Sequence, residues 1–152
     1  MERKEGLYIS TKKLSISTEL LLGQMMKGSG LTAAQGYLLF YIGEQHPDGT
    51  FATNLHKELG LSMATVSGGV KQLRQKGFLT VVVSPNDERQ KKLIPTSKFK
   101  KVAVQLSSAI YKTEEAIYGE LNQEEKETLH YLLQKTLSRI EKSCPDSTIF
   151  EK

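Results

Sequence analysis

The chain has 152 residues, a net charge of +4 and one cysteine, Cys144; this is a single-domain length, and no internal disulfide can form. Its longest apolar run, Tyr37-Leu38-Leu39-Phe40-Tyr41-Ile42, is far too short to span a bilayer. No apolar stretch follows the charged first residues, so a cytoplasmic protein without membrane contact or export signal is expected.

The first element reads as a helix. Ile9, Ile16 and Leu20, with Leu14, Leu21 and Met25, recur at helical spacing until Gly28-Ser29-Gly30 stops them. That glycine pair lacks the Gly-Lys-Ser/Thr and preceding strand of a phosphate loop, so it is read as a linker. Thr32 and Gln35 then form a capping-box pair that opens a second helix, which Pro47-Asp48-Gly49 ends.

A helix-turn-helix pattern follows. Leu55 and Leu59 lie one turn apart, and Gly60 suits a left-handed helix end because it has no Cβ to clash. Ser62 offers an N-cap oxygen to the next helix. Val66, Val70 and Leu73 mark the buried face of that helix, leaving Ser62, Thr65, Ser67, Gly68, Lys71 and Gln72 outward. Small hydrogen-bonding residues with a lysine one turn later suit a helix entering a major groove.

Gly77 ends this helix. Phe78 to Val83 is a β-branched run too short for another helix, and Ser84-Pro85-Asn86-Asp87 is dense in turn formers. Leu93-Ile94-Pro95 reads as the return strand, with Pro95 confining it to an edge or an end. The expected hairpin tip carries Arg89, Lys91 and Lys92. Such a tip is a second phosphate contact, and an arginine there can enter a narrow minor groove; a merely solvated turn is the alternative.

The rest reads as helix. Thr96 or Ser97 can cap a long one with Phe99, Val102, Leu106, Ile110, Ile117 and Leu121 on a stripe. Asn122 and Glu125 repeat the capping-box pattern before Leu129, Leu132, Leu133, Leu137 and Ile140. The first and last two helices carry more apolar surface than a small winged head can cover. A second copy of the chain would bury it, unless the terminal helices fold over the head in a monomer. The fold class expected is mainly α with a small β-hairpin wing, a winged helix-turn-helix flanked by dimerisation helices. Residues 1–30 would supply the N-terminal dimerisation helix, 31–96 the DNA-binding region, and 97–152 the C-terminal dimerisation helices of one compact chain.

The charge follows this division. Residues 50–100 hold nine basic and three acidic side chains, a net +6, whereas residues 1–49 balance and residues 101–152 sum to −2. Lysine and arginine concentrated on the reading segment favour double-stranded DNA as partner, because phosphate neutralisation dominates affinity.

Several motifs resemble the MarR family of winged helix-turn-helix transcriptional regulators. They are Leu31-Thr32-x-x-Gln35, then Leu55-x-x-x-Leu59-Gly60-Leu61-Ser62-x-x-Thr65-Val66-Ser67, then Lys76-Gly77-Phe78-Leu79 and Asp87-Glu88-Arg89. The resemblance runs from about Leu31 to Leu133. It implies a homodimer joined through terminal helices, reading a near-palindromic operator with recognition helices in adjacent major grooves. It further implies that Arg89 reaches the minor groove while Asp87 supports the wing. A ligand-responsive repressor is the implied activity, with a small aromatic effector in a cleft near Tyr37 and Tyr41. Two positions depart from the family pattern. Gly68, followed by Gly69, stands where an arginine is common, and Val81 stands where the strand often carries another.

Nothing ties His46, His56 and His130 into a metal site or a catalytic triad, so no enzyme activity, metal or cofactor is expected. Two readings stay open. One is the DNA-binding regulator; the other is a winged-helix protein-interaction adaptor with weak or lost DNA binding, which Gly68 and Gly69 would favour.

Overall fold

The computed structural model describes residues 6–143, and the side chains of residues 87–89 and 143 fall outside that description. Cys144 also lies outside the described residues. Along the described chain run α1 (Leu7–Met25), α2 (Ala33–Gln45), α3 (Ala52–Leu59), α4 (Met63–Gln75), β1 (Leu79–Ser84), β2 (Asp87–Pro95), α5 (Ser97–Tyr118) and α6 (Gln123–Ser143). This is the expected winged helix-turn-helix with helices on either side.

The fold is built around α2. The Thr32 hydroxyl accepts from the Gln35 N–H at 3.2 Å and the Gln35 side chain accepts from the Thr32 N–H at 3.2 Å, closing the capping box. Beyond the cap, Gly36, Leu38, Leu39 and Ile42 are buried. A side chain added at Gly36 would collide with Met26, and one at Gly43 with the Phe99 ring. Met26 follows α1 and Phe99 lies on α5, so α2 is where the terminal helices meet the head.

One core joins Leu39 and Ile42 to Leu55, Val66, Leu73, Phe78, Leu79, Leu93 and Leu106. Each buried leucine or valine contributes about 1.5–3 kcal/mol over leaving it in water. Gly60 ends α3 at φ +68°, where a Cβ would clash, and its N–H donates to the His56 carbonyl at 3.2 Å. Ser62 then caps α4 by accepting from the Thr65 N–H at 3.1 Å. Val66, Val70 and Leu73 form its buried face, as their spacing predicts.

β1 and β2 pair antiparallel, from Leu79 opposite Pro95 to Val83 opposite Lys91. Pro95 thus sits at the end of the ladder, where its missing N–H is tolerated. The register then shifts so that Ser84 pairs with Asp87, leaving residues 88–90 without partners in the ladder. The return strand is longer than Leu93–Pro95, and this corrects the expected tip. Lys91 and Lys92 lie within the ladder, on opposite faces, because neighbouring strand residues alternate. Thr50 adds an isolated bridge, exchanging both backbone bonds with Leu93 at 2.9 and 2.7 Å.

Thr96 occupies the N-cap of α5 without making a side-chain cap bond. Its hydroxyl donates instead to the Gly77 carbonyl at 2.6 Å, and its N–H to the Phe78 carbonyl at 3.0 Å. Those bonds clamp the end of the hairpin to its start. Lys98 reinforces the clamp: its ammonium donates to the Lys76 carbonyl at 2.5 Å and lies 4.7 Å from the centre of the Phe78 ring.

The terminal helices differ from the head. In α1 only Leu22 is buried, joined by Met26 just beyond it, and the stripe read from the sequence faces outward, with Leu20 65% exposed. Asn122 and Glu125 close a reciprocal cap at 2.8 and 3.0 Å. Even so, no described residue of α6 is buried, and Leu132, Leu133, Leu137 and Ile140 are all exposed.

Candidate nucleic-acid interface

The outer face of α4 is set by what its inner face must bury. With Val66, Val70 and Leu73 in the core, Ala64, Thr65, Ser67, Gly68, Lys71, Gln72, Arg74 and Gln75 are left exposed. Ala64, Gly68, Lys71 and Gln75 follow one another at four- and three-residue steps and so share a stripe. A helix with small residues along its first two turns and a cation on the third can approach base edges closely.

The sequence-derived residues divide into those free to meet a partner and those already engaged. Ser67 and Lys71 are exposed, as is Thr65, although its Oγ1 already accepts from Ser62, and a Cβ placed on Gly68 would meet open space. Ser62 is committed to the fold, since its oxygen caps α4 and its hydroxyl donates to Thr65 Oγ1 at 2.7 Å. Gln72 does not point freely into the groove: its Oε1 accepts from Gln35 Nε2 at 2.8 Å, which turns the amide toward α2.

The glycine pair also divides. Gly68 faces outward with nothing near it, whereas a Cβ on Gly69 would come within 2.8 Å of Leu38 Cδ2. Gly69 therefore serves the close packing of α4 on α2, and Gly68 alone shapes the outer face.

On the hairpin, Lys91 is exposed and Lys92 half-buried, with its stem near Gly49. Arg89 and Asp87 belong to β2 by backbone, but their side chains lie outside the described ones. Exposed Arg74, Lys98, Lys100 and Lys101 add positive charge near the end of α4 and the start of α5.

Tyr37 and Tyr41 line neither of the two clefts described below. Tyr37 is exposed, with partial burial of its phenol pushing its pKa up. Tyr41 donates to Glu58 Oε2 at 3.0 Å, and His46 Nε2 lies 2.7 Å from the same oxygen. Desolvation first, and then this carboxylate, push the Tyr41 phenol up to about 12. The Tyr41 hydroxyl is thus a fixed donor tying α2 to α3. A cleft of ≈ 340 Å³ lies elsewhere, between α5 and α6, and is lined by Glu114, Glu115, Tyr118, Lys126, His130 and Leu133. A second, along α6, is lined by Leu121, Leu129 and Leu132.

Sequence reasoning missed three supporting side chains. His56, buried on α3, lies 2.5 Å through Nδ1 from the Leu61 carbonyl, which holds the turn before α4; a carbonyl can only accept, so Nδ1 carries the proton. Lys76 donates to the Gly30 carbonyl at 2.5 Å and to Gln35 Oε1 at 2.6 Å. Lys98 caps the end of α4. All three act between residues distant in sequence or through backbone, which no local motif reports. Among the described residues no group of three or more His, Cys, Asp or Glu could hold a metal ion, and no helix is long and apolar enough to cross a membrane.

Comparison with known proteins agrees with this geometry. The MarR family pattern matches residues 29–90, from the linker before α2 to the hairpin. An uncharacterised HTH-type transcriptional regulator of Bacillus subtilis strain 168, YybA, is 29% identical over 113 residues, 74% of this chain and 75% of that protein. Among solved structures, the complex of MepR from S. aureus with DNA superposes with a TM-score of 0.81 at 24% identity, covering 90% of this chain and 99% of that one. BpsR of Bordetella bronchiseptica, whose DNA binding is regulated by 6-hydroxynicotinic acid, gives a TM-score of 0.78 at 22% identity, covering 90% and 96%. Motifs, capped helix-turn-helix and hairpin coincide on the segment that matches the MarR family pattern, and the solved structures share the fold of nearly the whole chain.

Proposed function

We propose that the protein is a homodimeric, sequence-specific DNA-binding regulator that places α4 in the major groove and the hairpin against the flanking backbone. The observation that carries this reading is the outer face of α4. It is capped and buttressed from behind, exposed along Thr65, Ser67, Gly68 and Lys71, and set in the segment with a net +6 charge. The DNA complex of the similar MepR supports it. Arg89 and Lys91 are assigned to the hairpin's contacts, with Asp87 supporting the wing.

Dimerisation is assigned to α1, α5 and α6, the parts read from the sequence as residues 1–30 and 97–152. Exposed Leu7, Ile9, Ile16 and Leu20 on α1, with Leu132, Leu133, Leu137 and Ile140 on α6, would cost solubility in a lone protomer. Pairing through these helices would set two reading heads on a near-palindromic operator. Repression and its release by a small aromatic ligand complete the proposal, supported by the regulation of BpsR. The α5–α6 cleft is better placed to receive such a ligand than the surface around Tyr37 and Tyr41, where the Tyr41 hydroxyl is engaged.

A second reading has its own observation. Gly68 removes any side chain from the centre of the outer face, which favours an adaptor whose head no longer grips bases. Fluorescence anisotropy with fragments of the neighbouring promoter, challenged by scrambled duplex at moderate salt, separates the two. The regulator prefers its promoter at least about a thousandfold; equal binding to both duplexes, or none, supports the adaptor.

A further inference from the structure

Gln35 is 6% exposed and does more than close the α2 cap. Its Oε1 accepts from the Thr32 N–H at 3.2 Å and from Lys76 Nζ at 2.6 Å, while its Nε2 donates to Gln72 Oε1 at 2.8 Å. Lys76 donates a further bond to the Gly30 carbonyl at 2.5 Å. The N-cap of α2, the last turn of α4 and its C-cap therefore meet at one buried amide, and Lys76 extends the network to the linker after α1. The linker is itself stiff, since Ser29 Oγ donates to the Met26 carbonyl at 2.6 Å and accepts from the Leu31 N–H at 3.1 Å.

We infer that Gln35, Gln72 and Lys76 form a clasp that sets the angle of α4 against the α1–α2 joint, so that Gln35 is a positioning residue for DNA reading. The inference rests on the DNA-binding reading above. Its logic is geometric. The α4 helix otherwise leans on α2 through apolar contacts such as Gly69 against Leu38, which resist separation but permit sliding. Directional hydrogen bonds fix the rotation, and an unmet partner on the buried Gln35 amide is costly. Because a short turn held by Ser29 joins Gly30 to the end of α1, a change in how two α1 helices meet would pass through the Gly30 carbonyl and Lys76 to the end of α4. The clasp thus also offers a route from dimer geometry to operator affinity.

The test measures affinity for the promoter duplex and for a scrambled duplex with full-length wild type, Gln35→Met, Gln35→Glu, Lys76→Met and the Gln35→Met/Lys76→Met double variant, all well below their unfolding midpoints. Gln35→Met should lower promoter affinity about tenfold and leave scrambled-duplex affinity and its salt slope unchanged. Gln35→Glu keeps both acceptors of the cap and of Lys76 but cannot donate to Gln72; it should lose about threefold and so recover part of the deficit. The double variant should lose no more than the worse single variant, since both break one network. Equal loss on both duplexes would reduce Gln35 to a folding residue, and unchanged promoter affinity in Gln35→Met and Lys76→Met would overturn the clasp. If the wild type itself shows no promoter preference, the DNA-binding reading has failed, not the clasp alone.

Discussion

The winged head and the terminal helices solve the burial problem in opposite ways. From α2 to β2 the chain seals Leu39, Ile42, Leu55, Val66 and Leu73 in one core, which Met26 and Leu106 of the flanking elements complete. The helix ends in that stretch are finished by local caps at Thr32, Gly60 and Ser62. By contrast α6 has a sound cap at Asn122 and an unburied apolar stripe, and α1 leaves Leu7 87% exposed. Capping residues specify where a helix begins; they do not supply what covers it. The head closes its core within one protomer, with Met26 and Leu106 contributed from the flanking helices, while the terminal helices leave apolar stripes that the proposed second copy would cover.

The comparison breaks most sharply in the head's core. Leu39→Ala should cost about 2–5 kcal/mol of stability, because a fully buried leucine leaves a cavity its neighbours only partly fill; urea denaturation at fixed protein concentration measures it. A loss below about 1 kcal/mol would mean that Leu39 is not sealed in the core as described.

On the terminal side, Leu133→Glu together with Leu137→Glu should weaken dimerisation by roughly a hundredfold or more, about 2.8 kcal/mol, as charges cannot be buried unpaired. Sedimentation velocity across a dilution series follows the monomer, and circular dichroism should show the helices intact. A dimer unmoved by both charges places the interface elsewhere.

The two glycines of α4 give a smaller, paired contrast. Gly68→Ala should stabilise by about 1 kcal/mol through helix propensity alone, since its side meets open space. Gly69→Val should destabilise by roughly 1–3 kcal/mol by overpacking against Leu38. Thermal melts that move both variants in the same direction would contradict the division between an outer and a packing glycine.

The smallest effect concerns the tie from α2 to α3. The Tyr41 phenol, held up to about 12, favours the protonated form in the folded state. Its contribution to stability is therefore full below the ordinary tyrosine value of about 10 and is lost as pH rises through the folded value. Phenolate absorbance should show a late step near pH 12 that Tyr41→Phe removes. Its survival in the variant would assign that step to another tyrosine.

How far the sequence can be read follows the range of the interactions. Thr32 with Gln35, Ser62 with Thr65, and Asn122 with Glu125 are three residues apart, so their caps stand out in the bare chain. The β-branched run and the turn formers likewise announce the hairpin. What escapes is long-range. Gln72 reads as free in the sequence, yet Gln35, 37 positions away, holds it. The Thr50 bridge is a single residue with no pattern to detect. Lys91 and Lys92 read as loop residues because charge suggests a turn, whereas backbone pairing with Val83 and Val82 puts them on a strand. The cleft near Tyr37 and Tyr41 is an expectation from resemblance alone, and the packing that sends the Tyr41 hydroxyl to Glu58 lies outside any local motif.

The central claim is that the outer face of α4 meets DNA in two copies at once. The salt dependence of promoter binding, compared between wild type and Lys71→Ala, tests it most directly. Removing one phosphate partner should reduce the slope of log affinity against log salt by about 0.9, so a dimer without Lys71 on either head should show a slope reduced by about 1.8. A slope unchanged by Lys71→Ala would contradict the account, because α4 would then not be the surface that holds the nucleic acid.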